Sequence, residues 1–297
     1  MVYESQATIL KLAAGGAASA SAKTLVAPFE RVKLLLQVGR GGAAHPGVVA
    51  TLRSMVRNEG AWSLWRGNGT NCVRIVPTYA LRFALFDRFR DAVSPAGYRD
   101  TGRVQSLQPL PLERQMAAAA LSGASAALVT HPLDLLRTRI STSTSASPLR
   151  SALAHGNMYR GIGVSLAEIT PYIAISLGGF EWLKARVAQR GIVRTYGDGE
   201  AVVKVTALQS LGCGWASGLV ASLVCYPLDT VKRRLMVAQR ERSRCTVRSV
   251  ATQLWVEGGS TPVLFYRGCA VNALKSSPAA AITFTLNDVF RQSMGVD

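Results

Sequence analysis

The sequence predicts an all-α membrane protein: six transmembrane helices in three tandem helix-loop-helix repeats. Three observations predict it. The 297-residue chain is 48% hydrophobic and only 17% charged, with mean hydropathy +0.19, which excludes a disordered chain and argues against an ordinary soluble enzyme. Gln115 to Leu133 and Val205 to Leu228 contain no Asp, Glu, Lys or Arg and are long enough to cross a hydrocarbon core of about 30 Å. The pattern P-x-[DE]-x-x-[KR] occurs three times at near-even spacing, starting at Pro28, Pro132 and Pro227.

The elements follow in order. Repeat 1, about 7–92, has an apolar segment Ile9–Gln37 carrying Pro28, Glu30 and Lys33. A polar loop with Gly39-Arg40-Gly41-Gly42 and the short amphipathic stretch Val49–Arg57 leads to the triplet Trp65-Arg66-Gly67. That triplet opens a second apolar segment, Gly67–Asp91, which ends in the acid-x-x-base pair Asp87 and Arg90. Repeat 2, about 113–189, reads Pro132, Asp134, Arg137, then Tyr159-Arg160-Gly161, Gly161–Arg186, and Glu181 with Lys184. Repeat 3, about 203–294, reads Pro227, Asp229, Lys232, the stretch Val247–Val256, Tyr266-Arg267-Gly268, Gly268–Arg291, and Asp288 with Arg291. Charges inside a span are costly unless they face a bundle interior or a wet cavity, and their threefold recurrence decides for spans. The chain reads as one domain, 1–297, with both termini on one side. Met1-Val2-Tyr3-Glu4 has an acid where a leader would be basic, so no cleaved presequence is expected. Small residues at Gly15-Gly16, Ala120 to Ala127 and Gly214-x-x-x-Gly218 fit close helix packing.

Charge and composition narrow the function. The 34 Lys and Arg against 17 Asp and Glu, a net +17, point to an anionic partner: nucleic acid, anionic lipid or a phosphorylated solute. A nucleic-acid binder gathers its bases on one face with aromatics between them. Here many sit in acid-base motifs between apolar segments, so nucleic acid is set aside. Five dispersed cysteines and three histidines signal neither a metal site nor a disulfide framework, and buried, inert thiols are expected. With no nucleophile motif, Walker loop or EF-hand loop, neither an enzyme nor calcium regulation is expected.

Pro28, Pro132 and Pro227 each remove a helical hydrogen bond and should kink three helices at one depth. The acid at +2 and the base at +5 share a helical face, so a threefold arrangement can pair Glu30 with Arg137, Asp134 with Lys232, and Asp229 with Lys33. Such a ring is a gate, or a static brace for the bundle. Buried ion pairs add little net stability, so they can break when a solute supplies other contacts. A second ring would pair Asp87 with Lys184, Glu181 with Arg291, and Asp288 with Arg90. Two opposed gates around one cavity give alternating access.

The three hexamers, the aromatic-[KR]-G triplets and the [DE]-x-x-[KR] endings resemble the mitochondrial carrier family across essentially the whole chain. The resemblance implies a pseudo-threefold bundle around a central cavity in the mitochondrial inner membrane, exchanging small solutes as a monomer. It implies no cofactor, with cardiolipin as a structural lipid at Arg66, Gly67, Arg160, Gly161, Arg267 and Gly268. The hexamer ring becomes the matrix gate and the other ring the cytoplasmic gate. Gln37 looks like a brace beneath the matrix gate, where Ser141 and Met236 at the matching places cannot brace equally. The sequence departs in repeat 2, whose loop His155-Gly156-Asn157-Met158-Tyr159 lacks the acid of Glu59-Gly60 and Glu257-Gly258.

Arg74, Glu168 and Lys275 each lie 13 residues before their repeat's closing acid and three before a proline, so they share a depth. An α-helix turns about 100° per residue, so periodicity does not turn them toward the cavity; the family resemblance does, as substrate contacts. The run through Lys23 to Gln37 and Asn71-Cys72-Val73-Arg74 resemble the ADP/ATP carriers and their adenine-nucleotide relatives. Lys23, Arg74 and Lys275 then match basic contacts for a polyphosphate, with Ile169 and Tyr172 placed either against a base or in plain helix packing. Lys232-Arg233-Arg234-Leu235-Met236-Val237 departs from the ADP/ATP signature. Glu168 is an acid where nucleotide carriers have a glycine: it is neutralised by Arg74 or Lys275, or it takes a proton or a substrate amino group. The expected substrate is an anion of the ADP, ATP, AMP or coenzyme A type; an amino-acid or keto-acid carrier, or a non-transporting scaffold, are the alternatives.

Overall fold

A computed structural model describes residues 2–39, 47–94, 111–143, 145, 147–154, 156–190, 206–238 and 246–275. They form α1 (Val2–Val38), α2 (Val48–Glu59), α3 (Asn68–Val93), α4 (Leu112–Thr142), α5 (Pro148–Ala154), α6 (Ile162–Arg190), α7 (Ala207–Val237) and α8 (Val247–Glu257). Short 3-10 turns, Ala61–Trp65 and Pro262–Tyr266, lead into α3 and into the helical residues 269–275. Among the described residues there is no strand. Leu112–Thr142, Ile162–Gln189 and Leu208–Val237 are long and apolar enough to cross a membrane. Val129, Val220 and Val224 on two of these helices are more than half exposed, while Ala118, Ala126, Ala221 and Cys225 are buried.

The long helices contain Pro28, Pro77, Pro132, Pro171 and Pro227 in their interiors. A proline leaves the carbonyl four residues earlier without its amide partner. At Pro28 that carbonyl is Thr24, and it accepts the Trp65 indole N–H at 2.9 Å. The other recurrent feature is a left-handed glycine before α3, before α6 and before the helical residues 269–275: Gly67, Gly161 and Gly268 have φ of 87°, 85° and 83°. Their carbonyls accept the first helical amides, from Asn71, Ser165 and Asn272, at 3.1 Å each. A Cβ on Gly67 would collide with the Ser141 side chain, and one on Gly268 would stand 3.1 Å from the Tyr226 hydroxyl.

The chain divides into two compact units, Met1–Tyr79 with Leu128–Ser165 and Tyr226–Asp297, and Ala80–Ala127 with Leu166–Cys225. The first unit has two apolar clusters that each join neighbouring repeats. Val32, Leu36 and Met55 of repeat 1 pack with Val271 of repeat 3, and Val231, Leu235, Val250, Leu254 and Leu264 of repeat 3 pack with Val164 of repeat 2. In the second unit, helices approach through small residues. A Cβ on Gly123 would lie 3.3 Å from Ile169 Cγ2, and one on Gly179 3.3 Å from Ser217 Cβ, whereas Gly218 has nothing within 4 Å. The expectation of buried thiols needs correcting in part: Cys213 and Cys225 are buried, but Cys72 and Cys269 are partly exposed because their helix faces are less covered, and Cys245 lies outside the described residues.

Candidate functional site

Three carboxylates on α1, α4 and α7 centre a cluster of cations in the first unit. Glu30 is ion-paired with Arg137, and its Oε1 lies 3.4 Å from Lys275 Nζ and 3.6 Å from Lys23 Nζ. Asp134 Oδ2 lies 3.1 Å from Arg233 Nη1 and 3.8 Å from Lys232 Nζ, while its Oδ1 is 3.9 Å from Arg74 Nε. Asp229 Oδ2 lies 2.8 Å from Lys33 Nζ and Oδ1 3.2 Å from Arg233 Nε. The pairs therefore run from α1 to α4, from α4 to α7 and from α7 back to α1. Glu30 and Asp229 are 7% and 8% exposed, so these charges face protein and not lipid. Gln37 Nε2 donates to Asp229 Oδ2 at 3.0 Å and to Thr230 Oγ1 at 3.4 Å, beside the Lys33 pair. Ser141 instead donates to the Arg66 carbonyl at 3.1 Å, and Met236 Sδ accepts from Arg233 at 3.7 Å.

The cations matched to a polyphosphate thus rest on these acids. Lys23 and Lys275 share Glu30, and Arg74 stands beside Asp134 while its Nη2 donates to Asn71 Oδ1 at 3.2 Å. Arg74 Nε is buried without a hydrogen-bond partner. Glu168, Ile169 and Tyr172 belong to the second unit, on α6. There Ile169 packs toward Gly123 of α4, an ordinary helix contact, and Tyr172 is 39% exposed.

The other acid-base positions look different. Asp87 is exposed and makes no ion pair with Lys184, whose ammonium lies over the Phe180 ring at 5.7 Å from its centroid. Glu181 is exposed, and Arg90 Nε is 3.9 Å from Asp91. Asp288 and Arg291 lie outside the described residues. Two of the triplet arginines turn to the ends of α4 and α7. Arg66 Nη1 donates to the Ser143 carbonyl at 2.6 Å, and Arg160 Nη1 to the Ala238 carbonyl at 2.8 Å, where a cation satisfies orphan carbonyls and the helix dipole. Arg267 Nη1 is buried without a partner. Burial first, then the like charge of Arg234, lowers the pKa of Arg267 from its ordinary value.

Sequence reasoning missed Arg233 as a contact of these carboxylates. The motif marks Lys232, yet Arg233 makes the shorter contact with Asp134 and also reaches Asp229 and Thr138 Oγ1. Its signal was the i, i+4 spacing from Asp229, one turn along the same face. Arg31, Arg139 and Arg234 were missed too, although all three are largely buried guanidiniums.

A helical fold of three like repeats, in which Glu30, Asp134 and Asp229 are enclosed among cations on long apolar helices, defines a membrane carrier class. The mitochondrial carrier protein family model matches residues 4–96, 108–191 and 203–296. The chain is 30% identical to the mitochondrial adenine nucleotide transporter ADNT1 of Arabidopsis thaliana, over 99% of this chain and 90% of that one. It is 29% identical to solute carrier family 25 member 16 of Mus musculus, over 94% and 86%. It is also 30% identical to the calcium-dependent mitochondrial ATP-magnesium/phosphate carrier protein 2 of Arabidopsis thaliana, over 96% of this chain but 56% of that longer one. The chain belongs to the mitochondrial carrier family. It is a multi-pass carrier of the mitochondrial inner membrane and not an enzyme.

Proposed function

We propose that this carrier exchanges an adenine-nucleotide-type polyphosphate by alternating access, through a pseudo-threefold bundle of six spans around a central cavity. One observation carries the reading: among the described residues, Lys23, Lys33, Arg74, Arg137, Lys232, Arg233 and Lys275 lie within 4 Å of the three carboxylates Glu30, Asp134 and Asp229. Seven cations against three carboxylates leave a surplus of four positive charges, which a polyphosphate neutralises and a monocarboxylate does not. The names of the relatives, an adenine nucleotide transporter and an ATP-magnesium/phosphate carrier, point the same way.

The mechanism follows from competition. An incoming phosphate draws Lys23 and Lys275 from Glu30, and Arg74 from Asp134. That substitutes solute contacts for part of the ring and lets the matrix gate of Glu30, Lys33, Gln37, Asp134, Arg137, Asp229 and Lys232 separate. Asp87, Arg90, Glu181, Lys184, Asp288 and Arg291 then close as the cytoplasmic gate. Pro28, Pro132 and Pro227 serve as the bends about which α1, α4 and α7 move. Cardiolipin phosphates sit at Gly67, Gly161 and Gly268 with their neighbouring arginines, where amides at helix starts favour anions. The unit of function is one chain, 1–297, with repeats of about 7–92, 113–189 and 203–294.

Purified protein reconstituted in liposomes loaded with ATP is expected to take up labelled ADP. Uptake of amino or keto acids with no exchange of ADP, ATP, AMP or coenzyme A would overturn the reading. Glu168 supports that second reading, because it is the repeat equivalent of Arg74 and Lys275 and its charge suits an ammonium. Glu168→Gln separates the two: nucleotide exchange persists or rises, whereas transport of an amino acid is lost.

A further inference from the structure

Beside the carboxylate ring, three arginines form another that the acid and base of the hexamer do not include. The last turn of a helix leaves carbonyls without amide partners, and the helix dipole favours a cation there. Arg31 Nε on α1 donates to the Ser141 carbonyl at 2.9 Å, Arg139 Nε on α4 to the Met236 carbonyl at 3.0 Å, and Arg234 Nε on α7 to the Gln37 carbonyl at 3.1 Å. Each acceptor is the penultimate residue of its helix. The three bonds run one way round α1, α4 and α7 and close on themselves.

The far side of each guanidinium grips its own repeat's surface segment. Arg31 pairs with Glu59 at the end of α2 at 2.6 Å, and Arg234 with Glu257 at the end of α8 at 2.7 Å. Arg139, only 6% exposed, has no carboxylate partner among the described residues. The carbonyls of Ala152 at 3.1 Å and Asn157 at 3.5 Å hold it instead. In the sequence, His155-Gly156 stands where the other repeats have Glu59-Gly60 and Glu257-Gly258.

We propose that Arg31, Arg139 and Arg234 are positioning residues that lock the C-terminal ends of α1, α4 and α7 together, and that the Arg139 lock is the weakest of the three. The proposal rests on the carrier alternating between two access states, not on which solute it carries. Charge-assisted bonds to Glu59 and Glu257 hold two locks. The third buries a guanidinium against neutral carbonyls among the described residues, which offset its desolvation less than a carboxylate does. Opening therefore starts at the second repeat.

The test uses the full chain with its five cysteines changed to serine and Thr138→Cys added. Thr138 is fully buried beside the ring, so reaction of that cysteine with a small maleimide reports opening without any solute. His155→Glu supplies the missing acid and is expected to slow labelling about tenfold, roughly the effect of one charge-assisted hydrogen bond. Glu257→Gln, which makes the third repeat resemble the second, is expected to speed it by a similar factor. The His155→Glu effect should vanish with Arg139→Gln or, if that variant does not fold, with Arg139→Met, which keeps an apolar stem and removes the charge. Unchanged labelling in both acid variants, or a His155→Glu effect that survives the loss of Arg139, overturns the lock. Arginines that only hold the fold together would move the melting temperature and leave the labelling rate alone. If labelling responds as stated while liposomes exchange no ATP for ADP, the nucleotide reading fails and the lock stands.

Discussion

Arg74 is a proposed solute contact with donor capacity left over. It touches Asn71 and stands 3.9 Å from Asp134, and its buried Nε has no hydrogen-bond partner, so part of its donor capacity is unspent. Arg74→Ala removes that donor without removing a core side chain. Exchange of ADP for ATP should be lost while the melting temperature stays within a few degrees of the parent; normal exchange would place the solute elsewhere. The Glu30–Arg137 pair is tested by reversal. Either Glu30→Arg or Arg137→Glu leaves like charges together in a buried ring, and the double reversal should recover part of the lost exchange. No recovery would show that the two do not act through each other. The triplet glycines differ in a way only coordinates reveal. All three need the left-handed backbone, at about 1–3 kcal/mol for a residue with a Cβ. Gly67 additionally has Ser141 in the way, whereas at Gly161 the nearest atom to a Cβ is 3.5 Å off. Gly67→Ala should therefore lower the melting temperature more than Gly161→Ala, and equal losses would mean that backbone strain alone decides.

Within an element, Pro28 and Trp65 act as a pair. The proline frees the Thr24 carbonyl and the indole of the following turn takes it, with Asn68 Nδ2 adding a bond to Thr24 Oγ1 at 2.9 Å. Trp65→Phe should cost about 1 kcal/mol, the net value of one hydrogen bond. In a Pro28→Ala background, where the helix satisfies Thr24 itself, the same change should cost less; equal costs in a double-mutant cycle would uncouple the two. This bond also shows what a sequence can carry. The repeats, the long helices and the surface helices α2 and α8 were readable because each rests on a local pattern: hydrophobic run, proline, acid-base spacing, amphipathic stretch. The seven-residue α5 was not, because repeat 2 has too short a loop for periodicity to register. The three carboxylates and their motif bases were legible as candidates because the same residues recur in triplicate. Arg233 and the arginine-carbonyl ring were not, because backbone carbonyls carry no residue identity and a contact between α4 and α7 has no spacing to count. The ring Asp87, Lys184 and their equivalents could be named from the repeats, but whether such charges touch depends on how far the helices stand apart, which spacing does not encode.

At the scale of the whole molecule, a carrier is an equilibrium between access states, and a solute shifts it only by binding one state better than the other. Glu30 couples the two processes, since it holds Arg137 within the ring and also Lys23 and Lys275, the cations proposed to read phosphate. In the proposed mechanism, part of the binding energy of a polyphosphate goes into taking those lysines from a carboxylate. Removing the carboxylate removes that cost and, with it, the pair that must re-form for the cycle to finish. Glu30→Gln is accordingly expected to lower KM for ATP and to lower the maximal exchange rate together, and higher ionic strength should erode the gain in KM as screening weakens phosphate binding. Asp229→Asn provides the contrast. Asp229 holds Lys33 and Arg233 but neither Lys23 nor Lys275, so its neutralisation should cut the maximal rate with little change in KM. Concentration series of ATP uptake into ATP-loaded liposomes measure both quantities for both variants. A raised KM in Glu30→Gln would mean that the lysines do not pass from carboxylate to phosphate, and that the acid serves the solute site directly.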